Sequence, residues 1–155
     1  MARSMSKVEN IDGRCNCLAL RQASRYLTAL YDHALSKVGL RATQFSILYK
    51  LANADELAIG ELAAEMAMDR TTLATNLKPL ERDGLLSIAP SAVDRRTKMV
   101  RITAEGLSRY REAFPIWEGV QEEFETAYGR AQAGDLRKAA RSVLGTGFEP
   151  WAENM

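Results

Sequence analysis

The sequence predicts a mainly α-helical fold with one small β-hairpin, and three observations lead to this prediction. Apolar residues recur at helical spacing over most of the 155 residues. Two short helical patterns between 57 and 82, separated by a turn, precede two strand-like runs. The tip between these runs is basic, because Arg95 and Arg96 follow Asp94. Helix, turn, helix and charged hairpin, in this order, are the parts of a winged helix-turn-helix.

The composition indicates a single soluble domain with helical extensions. Hydrophobic residues make up 46% of the chain and charged residues 26%, which is ordinary for a globular protein. No apolar run approaches the ~18–20 residues that span a membrane, and residues 1–7 lack the apolar stretch of a signal peptide. We therefore expect a cytoplasmic protein without a membrane partner.

A long N-terminal helix is predicted after a short polar arm. Residues 1–12 are polar and are expected to be disordered. From 13 to 40, apolar residues such as Leu20 and Leu27 lie at helical spacing, and Gly39 is expected to end the helix.

The winged helix-turn-helix itself is predicted at 41–103. Thr43 is expected to cap a helix from 44 to about 53. The next helix begins near Leu57, and a turn at 66–68 follows it. This order places a second helix directly after the turn, as the motif requires.

That second helix, predicted at 69–82, carries the side chains expected to read DNA. Asp69 is its N-cap, Gly84 ends it, and Pro79 is expected to kink it. Its inward stripe is Leu73, Leu77 and Leu80. Short hydroxyl side chains on the opposite face allow a close approach to base edges. The residues assigned to the major groove are Arg70, Thr71, Thr72, Thr75, Asn76, Lys78 and Arg82.

The hairpin strands are predicted at 85–89 and 98–103. An arginine at the hairpin tip, Arg95 or Arg96, is expected to enter the minor groove, where the negative potential is strong. DNA would repel Asp94, so we interpret this residue as a brace that pairs with an arginine. The wing residues assigned to DNA binding are Asp94, Arg95, Arg96 and Lys98.

Positive charge is concentrated in this segment. Residues 70–101 carry seven basic and three acidic side chains, a net charge of +4. Residues 1–69 carry eight of each, and residues 102–155 carry six basic and nine acidic side chains, a net charge of −3. A polyanion is therefore expected to bind at 70–101.

A C-terminal helical segment is predicted at 104–145, before a flexible tail at 146–155. Thr103 is a candidate N-cap, Pro115 is expected to bend the first helix, and Gly134 is expected to start a last short helix. Spacings that alternate between three and four residues predict a heptad seam. Its members are Leu107, Tyr110, Phe114, Trp117, Gln121, Phe124 and Tyr128.

The apolar faces of the two terminal segments need a partner. A second copy of the chain in a two-fold dimer is the simplest solution, and packing within one chain is the alternative. The residues expected at the dimer interface are Leu20, Leu27, Phe114, Trp117, Phe124 and Tyr128.

Five motifs follow one another in this chain: Ile59 to Ala63, Asp69 to Leu73, Leu80 to Leu86, Asp94 to Arg96 and Ile102 to Gly106. Together they resemble the MarR family of bacterial regulators, over about residues 15–145. The resemblance implies a homodimeric transcriptional regulator, more often a repressor, that binds a pseudo-palindromic double-stranded operator. It also implies release of DNA by a small aromatic or phenolic effector. The family's wing pair falls on Asp94 and Arg96, whereas Pro79 departs from the family pattern.

Such an effector would occupy a cleft between the first helix, the helix at 44–53 and the aromatic helix. An arginine that faces this cleft would suit a carboxylate. The candidate effector-binding residues are Arg21, Arg25, Tyr26, His33 and Tyr110.

Two cysteines provide an alternative sensor at the start of the first helix. Cys15 and Cys17 are too close for an easy mutual disulfide, and with one distant histidine they are too few for a metal site. The segment resembles the hydroperoxide-sensing branch of the family, in which Cys17 would be the reactive thiol and Tyr31 would hold it. Arg21 replaces the second tyrosine of that branch. The redox candidates are Cys15, Cys17 and Tyr31, and no metal or cofactor is expected.

Two other classes of function remain as alternatives. A winged helix used only for protein interaction would not lose DNA affinity steeply with salt. An enzyme would need paired carboxylates, a nucleophile with its base, a phosphate-binding loop or a metal cluster, and none is recognisable in a sequence with a single histidine. We therefore expect a DNA-binding regulator and not an enzyme.

Overall fold

The computed structural model describes residues 8–152, and within them it contains six α-helices and three β-strands. The helices are α1 (Asn16–Leu35), α2 (Ala42–Ala52), α3 (Ile59–Glu65), α4 (Arg70–Arg82), α5 (Ala104–Tyr128) and α6 (Arg130–Val143). The strands are β1 (Leu57–Ala58), β2 (Leu86–Pro90) and β3 (Lys98–Ile102). The predicted fold class, mainly helical with a small wing, is confirmed. Part of the predicted arm (1–7) and part of the tail (153–155) lie outside the described residues.

The first helix is shorter than predicted. The Sγ atom of Cys15 accepts a hydrogen bond from the backbone N–H of Leu18 at 3.3 Å, so Cys15 acts as the N-cap of α1. After Leu35 the chain continues in a 3-10 turn (Ser36–Val38). Gly39 ends this turn in a left-handed conformation, with φ of 70°, as its position predicted.

The start of α2 corrects the prediction for Thr43, which lies inside the helix and does not cap it. The N–H of Ala42 donates to Asp32 Oδ1 at 2.6 Å, and the N–H of Arg41 donates to Gln44 Oε1 at 2.9 Å. Asp32 belongs to α1, so the acceptor comes from a neighbouring helix.

The wing belongs to a three-stranded antiparallel sheet in the order β1-β3-β2. Strands β2 and β3 pair from Leu86 with Ile102 to Pro90 with Lys98, within one residue of the predicted bounds. Strand β1 was not predicted from the sequence; it has two residues and pairs with Val100 and Met99. A strand this short has no periodicity by which to detect it.

A leucine-rich core lies under the helix-turn-helix. The predicted inward stripe of α4 is confirmed, because Leu73, Leu77 and Leu80 are all buried. They join one cluster with buried leucines of α2, α3 and β2. Pro79 lies inside α4 and does not end it, since the helix continues to Arg82. Asp69 caps α4, as predicted.

Helix α5 begins in close backbone contact with the loop before β2. Thr103, the predicted N-cap, accepts the N–H of Gly106 at 3.0 Å and donates its hydroxyl to the carbonyl of Gly84 at 2.6 Å. The N–H of Thr103 donates to the carbonyl of Leu85 at 3.1 Å. A Cβ atom at position 106 would overlap that same carbonyl oxygen. Only glycine allows this contact, which fixes α5 against the winged helix-turn-helix.

The C-terminal end differs from the prediction. The last helix begins at Arg130, after Gly129 with φ of 106°, and not at Gly134. Pro115 lies within α5, which continues to Tyr128. In the described part of the tail, Trp151 borders a cavity of about 290 Å³ beside the α3–α4 turn.

We predict that Gly106→Ala lowers the free energy of unfolding by about 2–3 kcal/mol, because the added methyl group overpacks a backbone contact. Urea unfolding followed by circular dichroism measures this loss. Gly119→Ala on the same helix is the control, since a Cβ there has no neighbour within 4 Å. Equal stability of the two variants would contradict the role given to Gly106.

Candidate nucleic-acid interface and cavity

The exposed face of α4 has its hydroxyls and amides ordered by local hydrogen bonds. Asp69 accepts the backbone N–H of Thr72 at 2.7 Å and its hydroxyl at 2.8 Å. These hydrogen bonds lower the pKa of Asp69, and the bond from the backbone N–H of Thr72 has the larger effect. The Asn76 amide donates to the backbone carbonyl of Thr72 at 2.8 Å, and the Thr75 hydroxyl donates to the backbone carbonyl of Thr71 at 3.1 Å. All seven predicted major-groove residues lie on α4, and all except half-buried Asn76 are exposed.

The wing tip is a hydrogen-bonded turn that presents Arg96 to solvent. Asp94 Oδ1 accepts the backbone N–H of Arg96 at 3.0 Å and lies 3.8 Å from its Nε. Ser91 Oγ accepts the N–H groups of Val93 and Asp94. The Arg96 side chain remains 96% exposed. Asp94 therefore holds the backbone of Arg96 and lies within ion-pair distance of its side chain, which stays open to solvent.

Part of the positive charge in this segment is neutralised within the chain. Arg101 on β3 pairs with Glu56 at 2.8 Å, and this partner raises its pKa. Arg82 lies 3.2 Å from Asp83. Among residues 8–152, the cations of 70–101 that form no ion pair are Arg70, Lys78, Arg95 and Lys98.

A cavity of about 400 Å³ lies between α1, α2, α5 and α6. Its walls are mostly apolar, and its polar groups are hydroxyls. Its larger apolar residues are Leu20, Leu27, Leu35, Phe45, Trp117 and Leu136. Its hydroxyl residues are Ser24, Thr28, Tyr31 and Ser46. None of the described residues around this cavity carries a charge.

Only one of the predicted effector residues lies near this cavity. Tyr110 lines an adjoining space of about 320 Å³ with Tyr49 and Phe114, and shares with the first cavity the wall formed by Phe45 and Trp117. The Phe45 ring stacks on Tyr110 at 5.3 Å and on Trp117 at 6.0 Å between ring centroids. The structure does not bring the other four candidates to the cavity, and all four are exposed: Arg21, Arg25, Tyr26 and His33.

A polar network connects the cavity to the terminal helices. The Tyr31 hydroxyl donates to Gln121 Oε1 on α5, and the Gln121 amide donates to Glu125 at 3.0 Å. Glu125 in turn pairs with Arg137 and Arg130 of α6. The pKa of the Tyr31 phenol is raised mainly by burial and, to a smaller extent, by the negative charge of Glu125.

The predicted dimer residues divide into two groups. Trp117, Leu27 and Phe124 are half-buried within their own chain, and Trp117 stacks on Phe45. Leu20, Phe114 and Tyr128 are 44%, 38% and 43% exposed. Part of the predicted seam is therefore covered by α1 and α2 of the same chain, and the other part remains open.

Both cysteines are free thiols, with Cys15 half-buried and Cys17 exposed. Cys17 precedes Tyr31 by fourteen residues on α1, a separation of about 21 Å along a helix. Tyr31 therefore cannot hold the Cys17 thiolate within one chain. No group of three metal-binding side chains, and no helix long and apolar enough to cross a membrane, occurs between residues 8 and 152.

Comparison with known proteins identifies the chain. The sequence profile of the MarR family matches residues 40–98. The transcriptional regulator HosA of Escherichia coli is 31% identical over 105 residues, which are 68% of this chain and 76% of HosA. The chain belongs to the MarR family. It is thus a DNA-binding transcriptional regulator, and such regulators are not enzymes.

Two further relatives of this MarR-family chain are informative. The crystal structure of the regulator MosR of Mycobacterium tuberculosis with DNA superimposes with a TM-score of 0.71 at 37% identity. The match covers 84% of this chain and 98% of MosR. The organic hydroperoxide resistance regulator of Bacillus subtilis is 28% identical over 90 residues, which are 58% of this chain. This chain spans 61% of that regulator's length.

We predict that Arg96→Ala weakens operator binding about tenfold or more and lowers the salt dependence by about one released counterion. Fluorescence anisotropy with duplex DNA at several salt concentrations measures both quantities. Arg111→Ala removes an exposed arginine from α5 and serves as the control. Unchanged affinity in Arg96→Ala would exclude the wing from DNA binding.

Proposed function

We propose that this MarR-family protein is a cytoplasmic repressor that binds a pseudo-palindromic operator as a homodimer and is released by a small phenolic effector. The observation that carries the proposal is the pairing of an exposed, threonine-rich α4 face with an exposed arginine, Arg96, at a wing tip that Asp94 holds through the backbone. The helix suits a major groove, and the wing suits the adjacent minor groove.

The homodimer is supported by apolar side chains that one chain leaves open. On α1, Leu20 is 44%, Tyr26 is 74% and Leu30 is 37% exposed. At the end of α6, Val143 is 48% and Leu144 is 70% exposed. Burying such faces against a second copy removes apolar area from water and places two recognition helices on one duplex.

We predict that Leu30→Glu converts the dimer to a monomer and weakens operator binding, because a carboxylate would be buried in the interface. Size-exclusion chromatography with light scattering gives the mass of each variant. Ser108→Glu adds the same charge at an exposed position of α5 and is expected to remain a dimer. A monomeric wild-type protein that binds DNA with full affinity would disprove the dimer.

The effector proposal rests on the character of the cavity beside Phe45 and Trp117. An aromatic ring fits between such side chains, and a space of about 400 Å³ accommodates one small molecule. The Tyr31 hydroxyl lies at the cavity and pairs with Gln121. Since the cavity lining has hydroxyls but no charge, we propose a neutral phenol in place of the carboxylate that the sequence suggested.

We predict that simple phenols raise the melting temperature and release operator DNA, and that Tyr31→Phe weakens this response about tenfold because one buried hydrogen bond is lost. A thermal-shift titration of phenols and matched benzoates measures the preference. Ser108→Ala is the control, because it removes a hydroxyl from an exposed position of α5 that does not line the cavity. Stronger binding of benzoates, or an unaltered response in Tyr31→Phe, would contradict the proposal.

The alternative regulation is redox sensing by Cys17. Its exposure makes it accessible to an oxidant, and the similarity to the Bacillus subtilis regulator is consistent with such a role. Release of the operator by an organic hydroperoxide in the wild type, but not in Cys17→Ser, would favour this alternative over the phenol.

A further inference from the structure

The side chain of Arg70 lies across the backbone of Gly60. A Cβ atom built at position 60 would be 2.8 Å from Nη2 of Arg70, 3.4 Å from Cζ and 3.5 Å from Nε. The guanidinium therefore packs over the bare Cα of Gly60, in the first turn of α3. Arg70 is the first residue of α4, yet its charged end lies beside α3.

This position brings Arg70 into an open groove between α3 and the wing. Arg96 and Lys98 line the same groove, whose volume is about 630 Å³. Its one lining carboxylate, Glu61, accepts the backbone N–H of Ala58 at 2.9 Å. Three cations and one anion give this lining a net charge of +2.

We propose that this groove binds a phosphate of the DNA backbone, with Arg70 as its central cation and Gly60 as the residue that positions it. The proposal rests on the DNA-binding function and assigns Arg70 a different role from the base reader that the sequence suggested. The hydroxyls that can enter the major groove belong to Thr71, Thr72 and Thr75. The guanidinium of Arg70 lies on the side of α4 that faces the wing. Phosphate contacts fix a protein on the duplex but do not distinguish sequences.

Glycine at position 60 is needed for this placement and not for folding. Any larger residue displaces the end of a flexible side chain, which relaxes into solvent at little cost in stability. Gly60→Ala therefore moves the charge of Arg70 without removing it. Comparison of Gly60→Ala with Arg70→Ala therefore distinguishes the effect of displacing the guanidinium from the effect of removing it.

The test measures binding of two duplexes by fluorescence anisotropy over a range of salt concentrations. One duplex is an operator selected from a random pool with the wild-type protein, and the other is its scrambled version. We expect Arg70→Ala to weaken binding of both duplexes by the same factor, about tenfold, and to reduce the salt slope by about one. Gly60→Ala is expected to weaken both duplexes with an unchanged melting temperature, and the double variant is expected to match Arg70→Ala.

Two controls separate the groove from general effects. Gly13→Ala adds a methyl group where nothing lies within 4 Å, and Arg111→Ala removes an exposed arginine from α5. Both variants are expected to bind the two duplexes as the wild type does.

Inorganic phosphate, added at matched ionic strength, tests whether the groove binds a free anion instead of DNA. The proposal would be overturned if phosphate raised the melting temperature of the wild type but not of Arg70→Ala, while Arg70→Ala bound both duplexes with unchanged affinity.

The remaining outcomes are also decisive. A loss confined to the selected operator would make Arg70 a base reader and refute the proposal. Additive losses in the double variant would show that Gly60 does not act through Arg70. If the wild type itself bound neither duplex, the DNA-binding function would fail, which is a different result from failure of the groove.

Discussion

The arrangement of the whole chain depends on the backbone contact between Gly106 and Leu85. Because no side chain separates them, the start of α5 is fixed directly to the loop that follows α4. The Thr103 hydroxyl adds a hydrogen bond to Gly84 at the same place. Helix α5 also forms a wall of the cavity between the helices through Trp117. Helix α5 therefore contacts both the loop that follows α4 and the cavity.

The opposite end of α5 is held by polar groups. Tyr31, Gln121 and Glu125 form a chain of hydrogen bonds from the cavity towards α6, where Arg137 completes it. The hydroxylated effector proposed above would compete with Gln121 for the Tyr31 hydroxyl. Such competition would loosen α6 from α5, next to the apolar surface proposed for the dimer. Burial and, second, the nearby Glu125 carboxylate raise the pKa of the Tyr31 phenol.

Local signals predicted local structure, and long-range contacts account for the errors. The caps at Asp69 and Thr103 were correct because each side chain bonds an amide three residues away. The cap at Thr43 was wrong because Asp32 arrives from another helix. Periodicity could not indicate whether Trp117 faces its own chain or a partner. The positive charge of Arg101 was counted in the +4 of residues 70–101, but Arg101 pairs with Glu56, which lies 45 residues away in the sequence.

The chemistry of the cavity has a consequence for how the protein responds to its surroundings. Counterions screen exposed cations such as Arg96 and Lys98, so occupancy of DNA varies with the salt content of the cell. The lining of the cavity consists of rings, aliphatic groups and hydroxyls, and none of its described residues carries a charge that counterions could screen. Binding of a neutral molecule in this cavity would therefore vary with salt concentration less steeply than DNA binding does. The proposed effector and the salt concentration would thus act through different groups of one chain, the rings and hydroxyls of the cavity in one case and the exposed cations in the other.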